Sequence, residues 1–395
     1  MNHRLTVRPS CAADLPRMMR MFAHSRCVMR RQGNSVQWVG YPTRRQATED
    51  MSRGVSFVVE DEGRTVGTFA LVPGDEPTYA YIEHGRWIDN LHPYATIHRV
   101  AAMPATHGIA AAALAFAKQH YAYLRIDTHE RNTAMRHIVA REDFVQSGIV
   151  YMTDGSERLA YEWWRWDEVD SRLKRYVEQQ VLPVYDTFDP AHRRDHALRV
   201  IARSMLLADG KGLNPNMVYA IAALHDLGLG ADGRPGESAE DIRERHHLVG
   251  GDLARSNTAL RQWFSADERE QIAQAIEDHR ASSRQVPRSL YGCVVAEADR
   301  DVEPERIVLR TVQYGLEHYP ALDREGHWQR TLQHLDEKYA AGGYLHLLLA
   351  DSPNAEPLAE LQHLIADRRR LRSLFDQIVD RLSTQDPKFK HLVKQ

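Results

Sequence analysis

The pattern of apolar residues changes near residue 165, and this change constrains the fold more than any other feature. Before it, short runs with the period of half-buried strands alternate with segments of helical spacing. After it, almost every segment has helical spacing only. The sequence therefore predicts two domains, an α/β or α+β domain over residues 1–165 and an all-α domain over residues 166–395. A chain of 395 residues is long enough to form two such cores.

The first domain is expected to contain both strands and helices. Alternating or clustered apolar residues indicate its strands, and apolar residues at a spacing of three and four indicate its helices. The strands are predicted at residues 5–10, 56–63, 64–72, 96–103, 124–130, 147–153 and 157–163, and the helices at residues 13–31, 108–122 and 132–143.

An adjacent pair, His225 and Asp226, lies at the end of the apolar run AIAALHDLGLG. His196 precedes the pair at the start of an apolar helical stripe, and Asp299 follows it at the end of the run LYGCVVAEAD. An imidazole and a carboxylate at one helix end offer a neutral and an anionic ligand to the same cation. Because a carboxylate is seldom buried without a partner, these four residues together predict a divalent-metal site.

Two further histidines lie in amphipathic helices between these residues. His246 belongs to RERHHLVGGDLA and His279 belongs to QIAQAIEDHRASS, and either ring is placed to face the same cavity. They are therefore candidate ligands of a second metal ion, with His247 as the alternative to His246. A structural role at the edge of the core stays open for each of these single histidines.

From about residue 170 to about residue 350, the chain resembles the HD superfamily of metal-dependent phosphohydrolases on these residues. The resemblance implies that His196, His225, Asp226 and Asp299 hold one divalent ion, which is manganese, magnesium, iron, cobalt or nickel. It also implies that the two extra histidines described above hold a second ion.

The same resemblance implies the hydrolysis of a phosphate ester. A divalent ion lowers the pKa of bound water and neutralises charge on a phosphoryl oxygen. Asp226 is then a catalytic residue as well as a ligand, and Glu244 and Glu277 are candidate proton shuttles. A guanidinium group suits a phosphate, although an arginine on a helix face is otherwise a solvated charge. The candidate arginines are Arg243, Arg245, Arg280 and Arg300.

In the first domain, the strand IHRVAAM leads through the loop PATHGIA into a helix rich in alanine. The N-terminus of a helix that follows such a loop binds anions, because its free N–H groups point at the ligand. Gly108 and the small Ala110 allow the backbone to approach a pyrophosphate. The loop is therefore a candidate phosphate-binding site.

Residues 1 to about 165 resemble the GNAT superfamily of acyl-CoA N-acetyltransferases on the stretches GNSVQWVGYP, YIEHGRWIDN, IHRVAAM, RIDTHERNTAMRHIV and DFVQSGIVYMTDGSERLAYEW. The resemblance implies a central, mostly antiparallel sheet and acetyl-CoA as the cofactor. It implies that the strand pairs with the pantetheine arm, that the loop holds the pyrophosphate and that Asn132 lies beside the thiol. The cofactor-binding residues that it implies are Val100, Ala101, Ala102, Ala105, His107, Gly108, Ile109, Ala110 and Asn132.

Three positions depart from the superfamily pattern. Ala105 stands where an Arg or Gln opens the loop, and Asp143 stands where a Gly precedes Phe144. Val139 stands where a Tyr commonly protonates the leaving thiolate. An active transferase then needs other groups to move protons.

The candidate acids are Tyr81 and Tyr94, besides water, and the candidate bases are Glu83 and His98. Aromatic residues in the loops before the cofactor strand are placed to wall a pocket for an amine acceptor. Packing into the core is the alternative role for such rings. The aromatic residues are Trp38, Tyr41, Trp87 and Tyr94.

Composition and charge exclude several classes of protein. A net charge of −3 gives no basic surface for nucleic acid or for a membrane. The cysteines Cys11, Cys27 and Cys293 form no CxxC pair, which fits a reducing compartment. No apolar run is long enough to span a bilayer, and the N-terminus lacks the apolar region of a signal peptide. A cytoplasmic protein is expected.

The sequence thus predicts a bifunctional enzyme, an acetyl-CoA-dependent N-acetyltransferase fused to a divalent-metal-dependent phosphohydrolase. Its HD core is expected at about residues 185–305, followed by a helical extension at residues 306–395. The expected partners are a phosphorylated small metabolite or nucleotide and an amine acceptor, and a homo-oligomer is left open. One alternative is a phosphohydrolase regulated by an N-terminal module that only binds acyl-CoA. Others are an active transferase with a structural metal and a di-iron oxygenase, since some HD members with two irons are oxygenases.

Overall fold

The computed structural model describes residues 5–166, 168–189, 192–231, 238–280 and 286–385. The chain divides into two compact units, Met1–Glu168 and Val169–Gln395. The first unit contains a β-sheet with helices, whereas the described part of the second contains helices and no strand. The predicted fold class, an α/β domain followed by an all-α domain, is confirmed.

The sheet of the first unit is mostly antiparallel, as expected. Its strands are β1 (Thr6–Pro9), β2 (Ser56–Asp61), β3 (Arg64–Pro73), β4 (Ile82–Glu83), β5 (Ala95–Ala102), β6 (Tyr123–Thr128), β7 (Val145–Tyr151) and β8 (Glu157–Trp164). They are ordered β1-β2-β3-β5-β6-β8-β7-β4. Within this sheet, β5 and β6 form the parallel pair, and the other neighbours are antiparallel.

The parallel strands β5 and β6 separate soon after they meet. Over their described residues they pair only at Ala95 with Leu124 and at Thr96 with Arg125. Both strands continue beyond these pairs, β5 to Ala102. The sheet therefore contains a cleft, along which the second half of β5 has no strand partner on the β6 side.

Helices cover the sheet of the first unit. They are α1 (Leu15–Arg31), α2 (Arg44–Ser52), α3 (Ile109–His120) and α4 (Thr133–Arg141). The apolar α3 buries Ala113, Leu114 and Ala117 in the same core as residues of β3 and β5. The sequence did not predict α2 or β4, because RRQATEDMS has few apolar residues and a strand of two residues has no period.

Most helices of the second unit begin at a polar residue whose side chain caps the free N–H groups, as at Asn214, Ser238, Ser265 and Ser289. The helices are α5 (Ser171–Tyr176), α6 (Leu182–Tyr185), α7 (Arg194–Ala208), α8 (Pro215–Leu224), α9 (Ala239–Ser256), α10 (Ala266–Asp278), α11 (Leu290–Asp299), α12 (Pro304–His318), α13 (Arg324–Lys338), α14 (Ala355–Ala366) and α15 (Arg368–Gln385). A π-helical segment, Val177–Val181, joins α5 to α6.

The helix α8 lies in the centre of the second unit. Each of its residues from Met217 to Leu224 is buried, so the helix has no polar face. Its C-terminal end is therefore also inside the unit, and residues that follow it are removed from water. This burial requires that polar groups placed there find partners.

The helices α12 to α15 form a separate apolar core in the second unit. Trp328 and Phe375 pack edge to face within it, with ring centroids 5.4 Å apart. The predicted helical extension thus has a core of its own.

Candidate metal centre and cofactor cleft

Three helix C-termini bring candidate ligands together inside the second unit. His225 follows the last residue of α8, His279 follows the last residue of α10, and Asp299 is the last residue of α11. A helix C-terminus carries partial negative charge from its free carbonyl groups, so a cation is favoured there. His196, in the first turn of α7, and His246, in α9, complete the set of imidazoles.

The four residues that the sequence assigned to one ion lie close together. The Nε2 atom of His196 is 3.3 Å from Nε2 of His225 and 3.4 Å from Oδ2 of Asp226. The same Oδ2 atom is 3.2 Å from Nε2 of His225. Asp299 places Oδ1 at 3.2 Å from Nε2 of His196 and at 4.0 Å from Nε2 of His225. His196, His225 and Asp226 are thus grouped tightly enough to hold a metal ion.

A second group lies on the other side of Asp226. The Nε2 atom of His246 is 3.1 Å from Nε2 of His279 and 3.2 Å from Oδ1 of Asp226. Nε2 of His279 is 3.5 Å from the same oxygen. These three residues also form a group that a metal ion fits. His247 is outside this group, with its ring centroid 5.7 Å from that of His246.

Asp226 therefore lies between two sets of imidazoles. Its Oδ2 atom faces His196 and His225, and its Oδ1 atom faces His246 and His279. The carboxylate is buried, with an exposed fraction of 3%. One carboxylate that offers one oxygen to each of two ions is the arrangement expected of a bridging ligand.

The hydrogen bonds of the imidazoles show which nitrogen atoms are available to a metal. In His225, His246 and His279, Nδ1 lies 2.6–2.8 Å from the backbone carbonyl oxygen three residues earlier. A carbonyl oxygen only accepts, so Nδ1 carries the proton and Nε2 carries a lone pair. The lone pairs of His246 and His279 thus face each other at 3.1 Å, which is unfavourable unless a cation lies between them. The donor set therefore fits two metal ions.

The charges of the centre support the same conclusion. Burial raises the pKa of Asp226, but the neighbouring histidines, His225 first, outweigh burial and hold this pKa well below its usual range. Burial lowers the pKa of His196, whereas Asp226 and Asp299 raise it to about 9. The carboxylates are thus held ionised, and the site attracts positive charge.

Tyr185 supports the centre from α6, and the sequence analysis did not single it out. The buried hydroxyl group of Tyr185 donates to the backbone oxygen of Ala223 at 2.9 Å and accepts from the backbone N–H of Asp226 at 3.3 Å. It therefore fixes the backbone at the turn that carries the His-Asp pair. The only sequence signal is a tyrosine at an apolar helical position of VLPVYD, because a buried hydroxyl group needs partners.

The candidate proton shuttles lie in different surroundings. Glu277 accepts from Arg255 at 2.5 Å and from Arg288 at 2.6 Å. Burial raises the pKa of Glu277, but these two arginines lower it below its usual range, so Glu277 stays ionised. Glu244 is exposed on α9, and its backbone oxygen accepts from Arg280 Nη1 at 2.6 Å.

The other candidate arginines also have partners. Arg243 pairs with Asp189 at 2.9 Å, and Arg245 is half-buried on α9. Arg300 is 8% exposed and its Nη1 atom donates to Oε2 of Glu297 at 2.6 Å. Arg280 and Arg300 directly follow the candidate ligands His279 and Asp299, and Arg300 is the most buried of the candidate arginines.

In the first unit, the cofactor loop leads from the end of β5 to the N-terminus of α3. Val100, Ala101 and Ala102 lie on the part of β5 that has no partner in β6. Ala105 and Gly108 take positive φ values of 59° and 82°. No side chain caps the N-terminus of α3, so its first N–H groups are free to bind an anion. The other loop and helix residues of the prediction, His107, Ile109 and Ala110, lie at this end of α3.

Asn132, the remaining predicted cofactor residue, begins the helix α4. Val139 and Asp143, two of the positions that depart from the superfamily pattern, lie in this helix and just after it. The Oδ1 atom of Asn132 accepts from the N–H of Met135 at 3.3 Å, so Asn132 caps this helix. Val139 is fully buried in the core. Asp143 takes a φ of 59°, which an aspartate adopts more readily than most residues. Aspartate in place of the usual glycine at this position therefore keeps the backbone turn.

The candidate acids and bases of the first unit form two separate groups, Tyr81 with Glu83, and Tyr94 with His98 through Glu76. Glu83 lies on β4 at the edge of the sheet, with β7 and β8 between it and β6, and accepts from Tyr151 at 2.6 Å and from Tyr81. Tyr94 is buried, and its hydroxyl oxygen accepts from the N–H of Glu76 at 2.9 Å. His98 lies on β5 just beyond the point where the two strands separate.

His98 has a partner that the sequence analysis did not identify. Its Nε2 atom is 3.1 Å from Oε2 of Glu76, and this contact lowers the pKa of Glu76 to about 2. A carboxylate that orients an imidazole is the usual support of a general base. Of the candidate bases, His98 is therefore the one beside the cleft.

Two of the four aromatic residues that were expected to wall an amine pocket contact a cation of the protein instead. Trp87 and Tyr94 place their rings 4.1 and 4.0 Å from the guanidinium carbon of the buried Arg125. Their cation thus belongs to the protein itself. Trp38 and Tyr41 pack edge to face elsewhere, and the hydroxyl oxygen of Tyr41 accepts from Arg99.

Comparison with protein families agrees with the metal centre. Residues 193–302 match the family model described as "HD domain". This region is an HD domain. The match includes all six candidate ligands, and the resemblance to the HD superfamily is thereby confirmed. None of the described helices of the HD domain, or of the rest of the chain, has the length and apolar content of a membrane-crossing segment.

The solved structures similar to the N-terminal region are acetyltransferases of the GNAT family. One from Streptococcus agalactiae is 28% identical, and the match covers 42% of this chain and 99% of that chain with a TM-score of 0.39. One from Listeria monocytogenes is 17% identical over 40% of this chain and 94% of that chain, with a TM-score of 0.33. A putative acetyltransferase from Salmonella typhimurium, solved with acetyl-CoA, is 12% identical over 40% and 93%, with a TM-score of 0.29. No curated protein matches the chain.

Proposed function

We propose that the HD domain is a phosphohydrolase that uses two divalent metal ions to hydrolyse a small phosphorylated metabolite or nucleotide. The observation that carries this proposal is the position of Asp226, whose two oxygen atoms face two different sets of imidazoles. His196, His225 and Asp299 would hold one ion with Asp226, and His246 and His279 would hold the other.

The donor set also favours particular metals. Imidazole suits iron, cobalt, nickel and zinc, whereas magnesium prefers oxygen ligands and keeps several waters. Four imidazoles therefore favour iron, cobalt or nickel over magnesium, and the two carboxylates also suit manganese. When bound, such ions lower the pKa of water and neutralise charge on a phosphoryl oxygen.

The protein residues supply positioning and charge. The backbone carbonyl groups of Ala222, Arg243 and Ile276 fix the imidazole tautomers, and Tyr185 fixes the backbone at Asp226. The arginines near the ligands would bind the phosphate, since a guanidinium group donates two parallel hydrogen bonds to it. Glu277 is ionised and paired with arginines, so it is better suited to accept a proton than to donate one.

Metal removal and replacement test this proposal. The protein is stripped with a chelator, and each of manganese, iron, cobalt, nickel and magnesium is added back under anaerobic conditions. Hydrolysis of p-nitrophenyl phosphate and of a panel of nucleotides is then measured. Restored phosphate release with at least one of the first four metals is expected. No release from any substrate, with consumption of oxygen by the iron form, would instead support the di-iron oxygenase.

We further propose that the N-terminal unit binds acetyl-CoA in the cleft between β5 and β6. The unpaired half of β5 leaves backbone groups for an amide-bearing chain, and the free N–H groups of α3 face the end of that strand. His98, oriented by Glu76, would take the proton from an amine acceptor.

Two roles for this unit are distinguished by measuring binding and turnover together. Calorimetry with acetyl-CoA reports binding, and thiol release with a panel of amines reports transfer. Transfer to an amine supports the bifunctional enzyme. Binding without transfer, together with a change in phosphohydrolase activity on adding acetyl-CoA, supports a regulatory module.

A further inference from the structure

Lys338, the last residue of α13, is a half-buried cation that forms no ion pair with the described residues. Among the described residues, its ammonium group has no hydrogen bond and no carboxylate within ion-pair distance. Its Nζ atom lies 5.1 Å from the centre of the neighbouring Tyr339 ring. Partial burial of a charge without a counter-ion is costly, so an ammonium group in this position favours an anion beside it.

A loop places Lys338 near the metal centre. The N–H of Leu345 donates to the backbone oxygen of Lys338 at 3.0 Å, so the chain turns back after α13. Three residues later, the N–H of Leu348 donates to Oε2 of Glu297 at 2.8 Å. Glu297 lies in the last turn of α11, two residues before the ligand Asp299. The end of α13 is thus tied to the end of the helix that carries a metal ligand.

Glu297 binds the loop that follows Lys338 to the end of α11. It is fully buried, and its Oε1 atom accepts from Nδ2 of Asn354 at 3.0 Å and from the hydroxyl group of Ser352. Its Oε2 atom accepts from Nη1 of Arg300. The loop that follows Lys338 is therefore held by a network of hydrogen bonds and not only by packing.

The other charged groups near Lys338 are mostly cations. Burial lowers the pKa of Lys338, and repulsion from Arg310, Arg300 and Arg280 lowers it further, while Asp299 opposes this effect. Nε of Arg300 is buried and has no hydrogen-bond partner. Among the described residues, the ion-pair contact of Arg310 is a long one, 3.9 Å from Nη1 to Oδ2 of Asp301. Lys338 and the arginines Arg280, Arg300 and Arg310 thus cluster on this side of the metal centre, where Glu297 pairs with Arg300 and Asp301 lies near Arg310.

We propose that Lys338, Arg300 and Arg310 form an anion subsite beside the metal centre, and that this subsite takes a second phosphoryl group of the substrate. The proposal rests on the phosphohydrolase function above and names its substrate class, an organic diphosphate or polyphosphate. The metal ions neutralise the phosphoryl group that is attacked, so cations beyond the ligands are needed only if the substrate carries further negative charge.

Binding of two small phosphonates to the metal-loaded protein tests this subsite. Methylphosphonate carries one anionic group and methylenediphosphonate carries two. Calorimetry at a fixed excess of free metal is expected to show that the wild type binds the diphosphonate at least about tenfold more tightly. Lys338→Gln is expected to remove about tenfold of the diphosphonate affinity and to change methylphosphonate affinity less than about twofold. Lys338→Arg is expected to restore most of the loss.

The controls separate this proposal from the function on which it rests. Arg369→Gln removes a positive charge from an exposed position on α15, and it is expected to change neither affinity. Equal loss of both affinities in Lys338→Gln, or no loss of either, would show that the subsite is wrong while the phosphohydrolase stands. A wild type that contains metal but binds neither phosphonate would overturn both proposals.

Discussion

The metal centre and the cleft in the sheet use different parts of the chain. At the metal centre, side chains from five helices form the site, and its backbone groups only orient them. At the cleft, the backbone of β5 and of the N-terminus of α3 would contact the proposed ligand. A site of side chains is identified by a motif and is lost when one residue changes. A site of backbone groups tolerates changes such as Ala105 or Asp143, provided that the chain keeps its conformation.

The largest effect is expected at Asp226, the residue that both proposed ions would share. Asp226→Asn keeps the shape of the side chain but removes the charge, so both metal ions and all phosphohydrolase activity should be lost. Acetyl-CoA binding should not change, since it depends on the other unit. Asp252→Asn, the same change at an exposed position of α9, is the control and should retain metal. Full metal content in Asp226→Asn would contradict the bridging role.

A large loss of stability is expected when the buried network around Glu297 is broken. Glu297→Gln removes the charge that compensates Arg300 and leaves donors such as the N–H of Leu348 poorly paired. The expected loss is about 3–5 kcal/mol. Urea unfolding followed by circular dichroism measures it, with the exposed Glu337→Gln of α13 as the control. Equal midpoints for these two variants would contradict the network.

A smaller loss is expected where α9 approaches the turn after the His-Asp pair. A Cβ atom on Gly228 would lie 1.9 Å from the backbone oxygen of His246, so Gly228→Ala must displace the helix that carries this ligand. About 1–3 kcal/mol of stability should be lost, and the affinity for the second ion should fall. Gly342→Ala, where a Cβ atom would meet nothing within 4 Å, should be neutral in both measurements. Unchanged metal affinity in Gly228→Ala would argue that His246 is not a ligand.

The smallest effects are expected in the cleft, where only changes of backbone conformation should matter. Gly108→Ala strains a residue with a φ of 82° at the N-terminus of α3, so acetyl-CoA affinity should fall about fivefold, which corresponds to about 1 kcal/mol. Gly54→Ala introduces the same kind of strain away from the loop and should leave the affinity unchanged. His107→Ala removes a side chain without changing φ and should also have little effect. A larger loss of acetyl-CoA affinity in His107→Ala than in Gly108→Ala would show that side chains, and not the backbone, form this site.

The sequence predicted the helices and strands whose apolar side chains recur with a regular period. The apolar periods around Val200, Ile221 and Val294 located α7, α8 and α11, and the His-Asp pair indicated the cluster of His and Asp residues that forms the candidate metal centre. The supports of the site could not be found in this way, because they depend on contacts between distant segments. Lys338 is tied to the end of α11 only because the loop returns to Glu297, and Glu76 contacts His98 only because β3 and β5 pair.

The cleft in the sheet likewise could not be predicted from local sequence patterns. The strand, the loop and the alanine-rich helix were predicted from local patterns, but the early separation of β5 from β6 depends on the whole sheet. Likewise, Trp87 and Tyr94 were expected to face a ligand, whereas both rings contact Arg125. The positions of two aromatic residues in the sequence do not show which cation their rings contact.

The number of bound metal ions tests the account most directly. Elemental analysis of protein purified without chelators, and of protein reloaded with manganese, is expected to give two equivalents for the wild type. His246→Ala and His279→Ala are each expected to give one equivalent, because the ion held by His196, His225 and Asp299 remains. One equivalent in the wild type, unchanged in both variants, would contradict the two-metal centre.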